Sequence, residues 1–131
     1  MSTIAQQHQL HGLQPVLPVA DVAAAAAWLQ EMLGFEIEFL HGTPAQHGRV
    51  RIVGDWGAPV YIHLSLAATL PVQPCGELRI HVGAGLDALC AHCRAAGGDI
   101  VLAPVDQPWG LREFVLCMPD GHRLRLCAEV S

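Results

Sequence analysis

The chain repeats one order of elements twice, and this duplication limits its folds more than any other feature. Leu33-Gly34-Phe35-Glu36-Ile37 ends a helix and starts a strand in the first half, and Ala96-Gly97-Gly98-Asp99-Ile100 does so in the second. Around these junctions the hydrophobic pattern predicts the same series. In the first half it gives a strand over 12–20, made irregular by Pro15 and Pro18, then a helix over 22–33. Asp21 is its expected N-cap and Gly34 its C′ residue. Strands are expected over 35–40, 50–53 and 60–66, with a turn at Gly54-Asp55-Trp56-Gly57 between the last two. In the second half a strand is expected over 78–82, a helix over 86–96, and strands over 100–103, 112–117 and 123–127. Each half reads βαβββ. Neither half-sheet can bury its own face, so two must pair, within one chain or between chains. The expected boundaries are a tail at 1–11 and one domain at 12–129, with modules 12–66 and 77–129 joined by a linker at 67–76.

The last hairpin is the sharpest local signal. Met118-Pro119-Asp120-Gly121-His122 separates two apolar segments, and an Asp-Gly pair supplies the positive φ of a tight hairpin turn. Composition narrows the partners. The 131 residues are 52% hydrophobic and 15% charged, so apolar surface must be covered, and a homodimer interface is the expected place. A net charge of −5, with no lysine and no run of arginines, argues against nucleic acid. No segment has the length of a transmembrane helix and the N-terminal residues do not read as a signal peptide, so no membrane association is expected. Five cysteines without a framework spacing suggest free thiols in a reducing cytoplasm.

The run Pro108-Trp109-Gly110-Leu111-Arg112-Glu113-Phe114, followed by the Asp-Gly hairpin, closely resembles the end of a glyoxalase or bleomycin-resistance domain, in the vicinal oxygen chelate superfamily. The resemblance covers roughly residues 12–129. It implies an α+β fold of tandem βαβββ modules, an open barrel-like groove with helices outside, and frequent homodimers whose grooves use both chains. It also implies four groove positions, which the metalloenzymes of the superfamily fill with metal ligands from the first and last strand of each half. Seven residues before the helix-capping Asp21 lies Gln14. The last strand of the first half places His63, the start of the second half places Glu77, and the strand after the hairpin places Arg125.

Gln14, His63 and Glu77 can bind a divalent ion such as Ni, Zn, Fe or Mn. Arg125 cannot, because it is always protonated and has no lone pair to give. At an effective dielectric of about 20, a cation ~5 Å from a divalent ion is repelled by several kcal/mol. Arg125 is better paired with Glu77, standing in for the metal as a built-in cation.

Strand alternation extends the groove without the resemblance. Tyr61 and Ser65 share a face with His63, Arg79 and His81 with Glu77, and Arg123 and Cys127 with Arg125, while Ile62, Leu64, Leu78, Ile80, Val82, Leu124 and Leu126 form the opposite, apolar faces. Trp109 either stacks on a planar ligand or caps the barrel end or the dimer seam, and Trp56 has the same two readings. Cys90 and Cys93, with His92 between them, lie mid-helix and read as buried apolar groups rather than a redox pair. His8, His11, His41, His47 and His122 read as surface residues. No nucleophile elbow or phosphate loop is present, and the His63/Ser65 pair is poorly spaced for a base and nucleophile.

These features favour a metal-independent binding protein of the bleomycin-resistance kind. It would sequester a small molecule among Gln14, Tyr61, His63, Glu77, Arg79, Trp109 and Arg125 without any cofactor. The second reading is a metal-dependent glyoxalase, lyase, isomerase or dioxygenase using Gln14, His63 and Glu77. A third is a metal-free enzyme with Glu77 or His63 moving a proton. The acidic balance favours a cationic ligand, whereas Arg79, Arg123 and Arg125 favour a carboxylate or phosphonate. Sequence leaves that conflict open.

Overall fold

The computed structural model describes residues 3–8, 12–54, 57–74 and 76–130. After a short helix α1 (Ile4–His8), the first module runs β1 (Val16–Val19), α2 (Val22–Leu33), β2 (Glu36–His41), β3 (His47–Ile52) and β4 (Val60–Leu66). The second runs β5 (Glu77–His81), α3 (Leu86–Ala95), β6 (Asp99–Asp106), β7 (Leu111–Cys117) and β8 (Arg123–Glu129). Two four-stranded sheets result, in the orders β1-β4-β3-β2 and β5-β8-β7-β6. Each has one parallel pair, β1 with β4 and β5 with β8, and is otherwise antiparallel. The duplicated βαβββ order is thus present in full, and the sheets do not close into a barrel.

Local chemistry explains the boundaries. Asp21 caps α2 by accepting from the Ala24 amide at 2.9 Å. Gly34 ends it at φ 75, and the next amide, of buried Phe35, reaches back to the Leu29 carbonyl. The Asp-Gly turn forms as expected, with Gly121 at φ 95 and the Met118 amide bonded to the His122 carbonyl at 2.8 Å.

Several boundaries differ from expectation. The tail carries α1. The first strand starts at Val16, not residue 12, although the Pro15 carbonyl still accepts from the His63 amide at 2.9 Å. Strands β3, β6 and β8 are longer than their apolar runs, because ladder pairing continues through the polar residues that flank them. His122 is a clear correction. It is 1% exposed, and its Nε2 donates to the Pro18 carbonyl at 2.6 Å, so the turn docks on β1 instead of facing water. His47 lies on strand β3, half-buried. The Asp55-Trp56 part of the expected turn, His11 and Cys75 lie outside the described residues.

The modules meet through their helices and this turn. His92 Nε2 on α3 donates to the Glu31 carbonyl on α2 at 2.8 Å, and the Cys93 thiol contacts the Met32 carbonyl at 3.4 Å. Leu17, Val19, Leu29, Met32, Ile62 and Leu64 join Cys93, Leu116, Leu124 and Leu126 in one core. Burial raises the pKa of both Cys90 and Cys93, as suits apolar fillers. Among the described residues, no helix is long and apolar enough to cross a membrane.

Gly98 marks the tightest point of this seam. A Cβ there would lie 2.9 Å from the Cys93 carbonyl oxygen, 3.0 Å from Leu116 Cδ1 and 3.1 Å from Met32 Sδ. Gly98→Ala is expected to destabilise the fold by about 1–3 kcal/mol through overpacking. Loss of the cap in Asp21→Ala should cost about 1 kcal/mol. Urea denaturation midpoints of the two variants check both values.

Candidate functional site

Alternation sorts each sheet into an apolar face and a polar one. On β4, Ile62 and Leu64 are buried, while Tyr61, His63 and Ser65 point the other way, half-exposed. On β8, Leu124 and Leu126 enter the core and Arg125 lies on the opposite face. The expected site residues gather into two clusters, one per sheet.

The first cluster centres on His63. Its Nε2 lies 2.5 Å from Gln14 Oε1, and its Nδ1 lies 3.0 Å from His47 Nε2. With the Gln14 oxygen as acceptor, His63 carries its proton on Nε2 and accepts from His47 at Nδ1. Burial, then the charges of His47 and Arg49, lower the His63 pKa, which holds the ring neutral at pH 7. Beside it, Arg49 binds Glu38 through two nitrogens, at 2.5 and 2.7 Å. The Arg49 guanidinium also lies 4.4 Å from the Tyr61 ring centroid and 5.6 Å from that of Phe39. The hydrogen bond from Arg49 lowers the Glu38 pKa. Ser65 makes no hydrogen bond to His63, so no base–nucleophile pair forms there.

The second cluster is built on a residue that sequence reasoning passed over. Glu113, on β7, has 0% exposure. Its Oε1 accepts from Arg125 Nη1 at 2.9 Å, and its Oε2 accepts from Arg79 Nη1 at 2.7 Å and Trp109 Nε1 at 3.1 Å. Arg125 also grips Glu77, with Nε at 2.7 Å from Oε1 and Nη2 at 3.4 Å from Oε2. The expected Glu77–Arg125 pair is therefore present and part of a larger network. Arg79, Trp109 and Arg125 meet at Glu113, and Glu77 joins them through Arg125. No hydrogen bond or ion pair joins this cluster to Gln14, Tyr61 or His63.

Neither of the two clefts described holds the expected ligand residues. One, of about 550 Å³, lies beside the start of α3 and includes Asp87, Asp106 and Arg112. The other, of about 310 Å³, lies between Leu70–Val72 and the Asp-Gly turn.

A family model for the glyoxalase, bleomycin resistance protein and dioxygenase superfamily matches residues 9–126. The chain belongs to this superfamily. Among solved structures it is similar to TioX from Micromonospora sp. ML1, at 20% identity over 92% of this chain and 100% of that one, with a TM-score of 0.73. It is similar to a glyoxalase-related enzyme from Clostridium phytofermentans at 23% identity over 92% and 96%, with a TM-score of 0.74. A superfamily member from Sphaerobacter thermophilus DSM 20745 shares 21% over 92% and 99%, with a TM-score of 0.72. These likenesses establish a common fold. A comparison with curated protein sequences gave no match.

Within this superfamily frame, the three expected metal donors do not fit one ion in a single chain. Gln14 and His63 converge on the first sheet, but Glu77 belongs to the second, with both oxygens held by Arg125. Among the described residues, no three His, Cys, Asp or Glu side chains group to hold a metal.

Burial alone would raise the pKa of Glu113, but hydrogen bonds from Arg79, Trp109 and Arg125 outweigh it and leave the value below the usual 4.5. Its stabilisation is then fully present above about pH 4.5 and is lost as pH falls through the lowered folded-state value. Glu113→Gln is expected to cost about 1.5–3 kcal/mol at pH 7, the range for hydrogen bonds to charged groups. The gap to the parent protein should narrow as pH falls to 3. A gap that stays constant in urea titrations across that range would show that the charge of Glu113 contributes nothing.

Proposed function

We propose that this chain is a metal-independent small-molecule binding protein of the bleomycin-resistance type. It works as a cytoplasmic homodimer and protects its host by sequestering a toxic compound. The observation that carries this reading is the position of Arg125. Its guanidinium binds both oxygens of Glu77 and one of Glu113, which supports reading it as a fixed cation at the groove position that, by the superfamily resemblance, metalloenzymes give to a carboxylate ligand. Sequestration requires only a complementary groove and an affinity above that of the ligand's target.

The separation of the clusters supports assembly from two copies. The modules of one chain meet through α2, α3 and the Asp-Gly turn, and among the described residues no hydrogen bond or ion pair joins the polar clusters of the two sheets. A groove holding Gln14, Tyr61 and His63 opposite Glu77, Arg79, Trp109 and Arg125 forms when the first sheet of one copy meets the second sheet of another. Exposed Val16, Phe39, Val60, Leu66, Val101 and Val105 supply apolar surface for that contact.

Elemental analysis of untagged protein, before and after incubation with nickel, zinc, iron(II) or manganese, tests the metal question. Far less than one ion per chain is expected. Near-stoichiometric metal would overturn this reading in favour of a lyase, isomerase or dioxygenase using Gln14, His63 and Glu77. Arg125→Glu reverses the chemistry. It places a third carboxylate between Glu77 and Glu113, so the variant should take up a divalent ion and gain thermal stability from it. An unchanged melting temperature in saturating metal, with no uptake, would show that Arg125 does not occupy a metal position.

A further inference from the structure

We infer that the cleft between the linker and the Asp-Gly turn is a second binding site, for a small ammonium ion with an aliphatic body. None of its walls belongs to either polar cluster, so it stands independently of the binding-protein reading. Its shape follows from how the linker crosses the turn. Leu70-Pro71-Val72-Gln73-Pro74 lies against the turn so closely that a Cβ on Gly121 would sit 2.8 Å from Pro74 Cγ. The turn is itself held on the first module by His122 and, more loosely, by Asp120, whose Oδ1 accepts from the Ala20 amide at 3.4 Å. Between linker, turn and Ala20 a cleft of about 310 Å³ remains. Leu70, Pro71, Val72, Pro119 and Ala20 give it aliphatic walls, and Asp120 is the one lining side chain with a polar group. Leu70 is 68% exposed, which leaves apolar surface open to a guest.

Charge fixes the sign of the guest. Asp120 is half-buried and makes no ion pair among the described residues. Its one hydrogen bond, from an amide, leaves the second carboxylate oxygen open. No arginine or histidine lines the cleft. Arg123, the nearest arginine along the chain, pairs in register with Glu77 and acts on that carboxylate. The positive end of α2 begins beside Ala20, but the Asp21 side chain caps it. An unpaired carboxylate against aliphatic walls selects a cation that brings its own apolar surface. Because the walls come from the first module, the linker and the second module, an occupant also ties the modules together.

Titration of the ¹⁵N-labelled protein with cyclohexylammonium, cyclohexanol and cyclohexanecarboxylate at pH 7, followed by amide chemical shifts, tests this. Cyclohexylammonium should move the amides of Ala20, Leu70, Val72 and Gly121, saturating in the millimolar range, and should raise the melting temperature. The alcohol should bind about tenfold more weakly, and the carboxylate should leave these amides unmoved. Asp120→Asn removes the charge alone, since Asn-Gly takes the same turn and the amide oxygen still accepts from Ala20. That variant should fold like the parent and bind cyclohexylammonium about tenfold more weakly. Leu70→Ser, at an exposed position, should weaken it several-fold through the lost wall. Shifts confined to the two polar clusters, equal binding of alcohol and ammonium, binding of none of the three, or no effect of Asp120→Asn would each overturn the assignment.

Discussion

A buried carboxylate on β7 organises the second half of this molecule. Glu113 has no exposure to water, and an uncompensated charge there would cost several kcal/mol. Compensation comes from two guanidinium groups and an indole, which together use both oxygens. Each donor is fixed in turn. Arg125 completes its fork on Glu77, Arg79 is anchored by one nitrogen, and Trp109 is tied down by its polar edge while its ring stays open. Side chains that would otherwise sample many rotamers on an open sheet are ordered before any ligand arrives. On the proposed reading, that preorganisation lowers the entropy lost on binding.

Why Glu113 went unseen shows where sequence reading works and where it stops. Alternation was legible on β4, where Tyr-Ile-His-Leu-Ser gives a polar residue at every second place, and the structure follows it residue by residue. On β7 the run Glu113-Phe114-Val115-Leu116 is buried on both faces, so it has no period to read. Only the register exposes it: Glu113 lies opposite Cys127 and Val115 opposite Arg125, which puts the carboxylate on the face of Arg125. Glu38, Arg49 and Arg51 were open to the same alternation argument that found His63. The helix caps were legible because they are local, set by Asp21 and Gly34 alone. The burial of His122 was not, because it depends on contact with the Pro18 carbonyl, 104 residues away in sequence.

The two sheets share a backbone plan but differ in chemistry. The first face is neutral and self-contained, with an imidazole pair capped by an amide and a stacked Arg49–Glu38 pair. The second is a lattice of guanidinium forks. The absence of lysine fits this use, since a planar fork can serve a carboxylate with two parallel bonds and an ammonium cannot. Arg49, Arg51, Arg79, Arg112 and Arg125 are all engaged by carboxylates; Arg123 makes no ion pair among the described residues, and its charge acts on Glu77, its neighbour in the strand register.

A guanidinium and a divalent ion at the same position do different work. The ion coordinates oxygens directly and withdraws electron density, which stabilises a developing enediolate or activates water. The guanidinium offers hydrogen bonds and a single delocalised charge, and it has no vacant orbital with which to polarise a substrate. Held by Glu77 and Glu113, Arg125 has already spent its charge on the protein. On the proposed reading, that exchange turns a superfamily groove suited to Lewis-acid chemistry into one suited to recognition. On that reading recognition falls to the exposed parts of Arg79 and Trp109, since Arg125 is held by the protein itself.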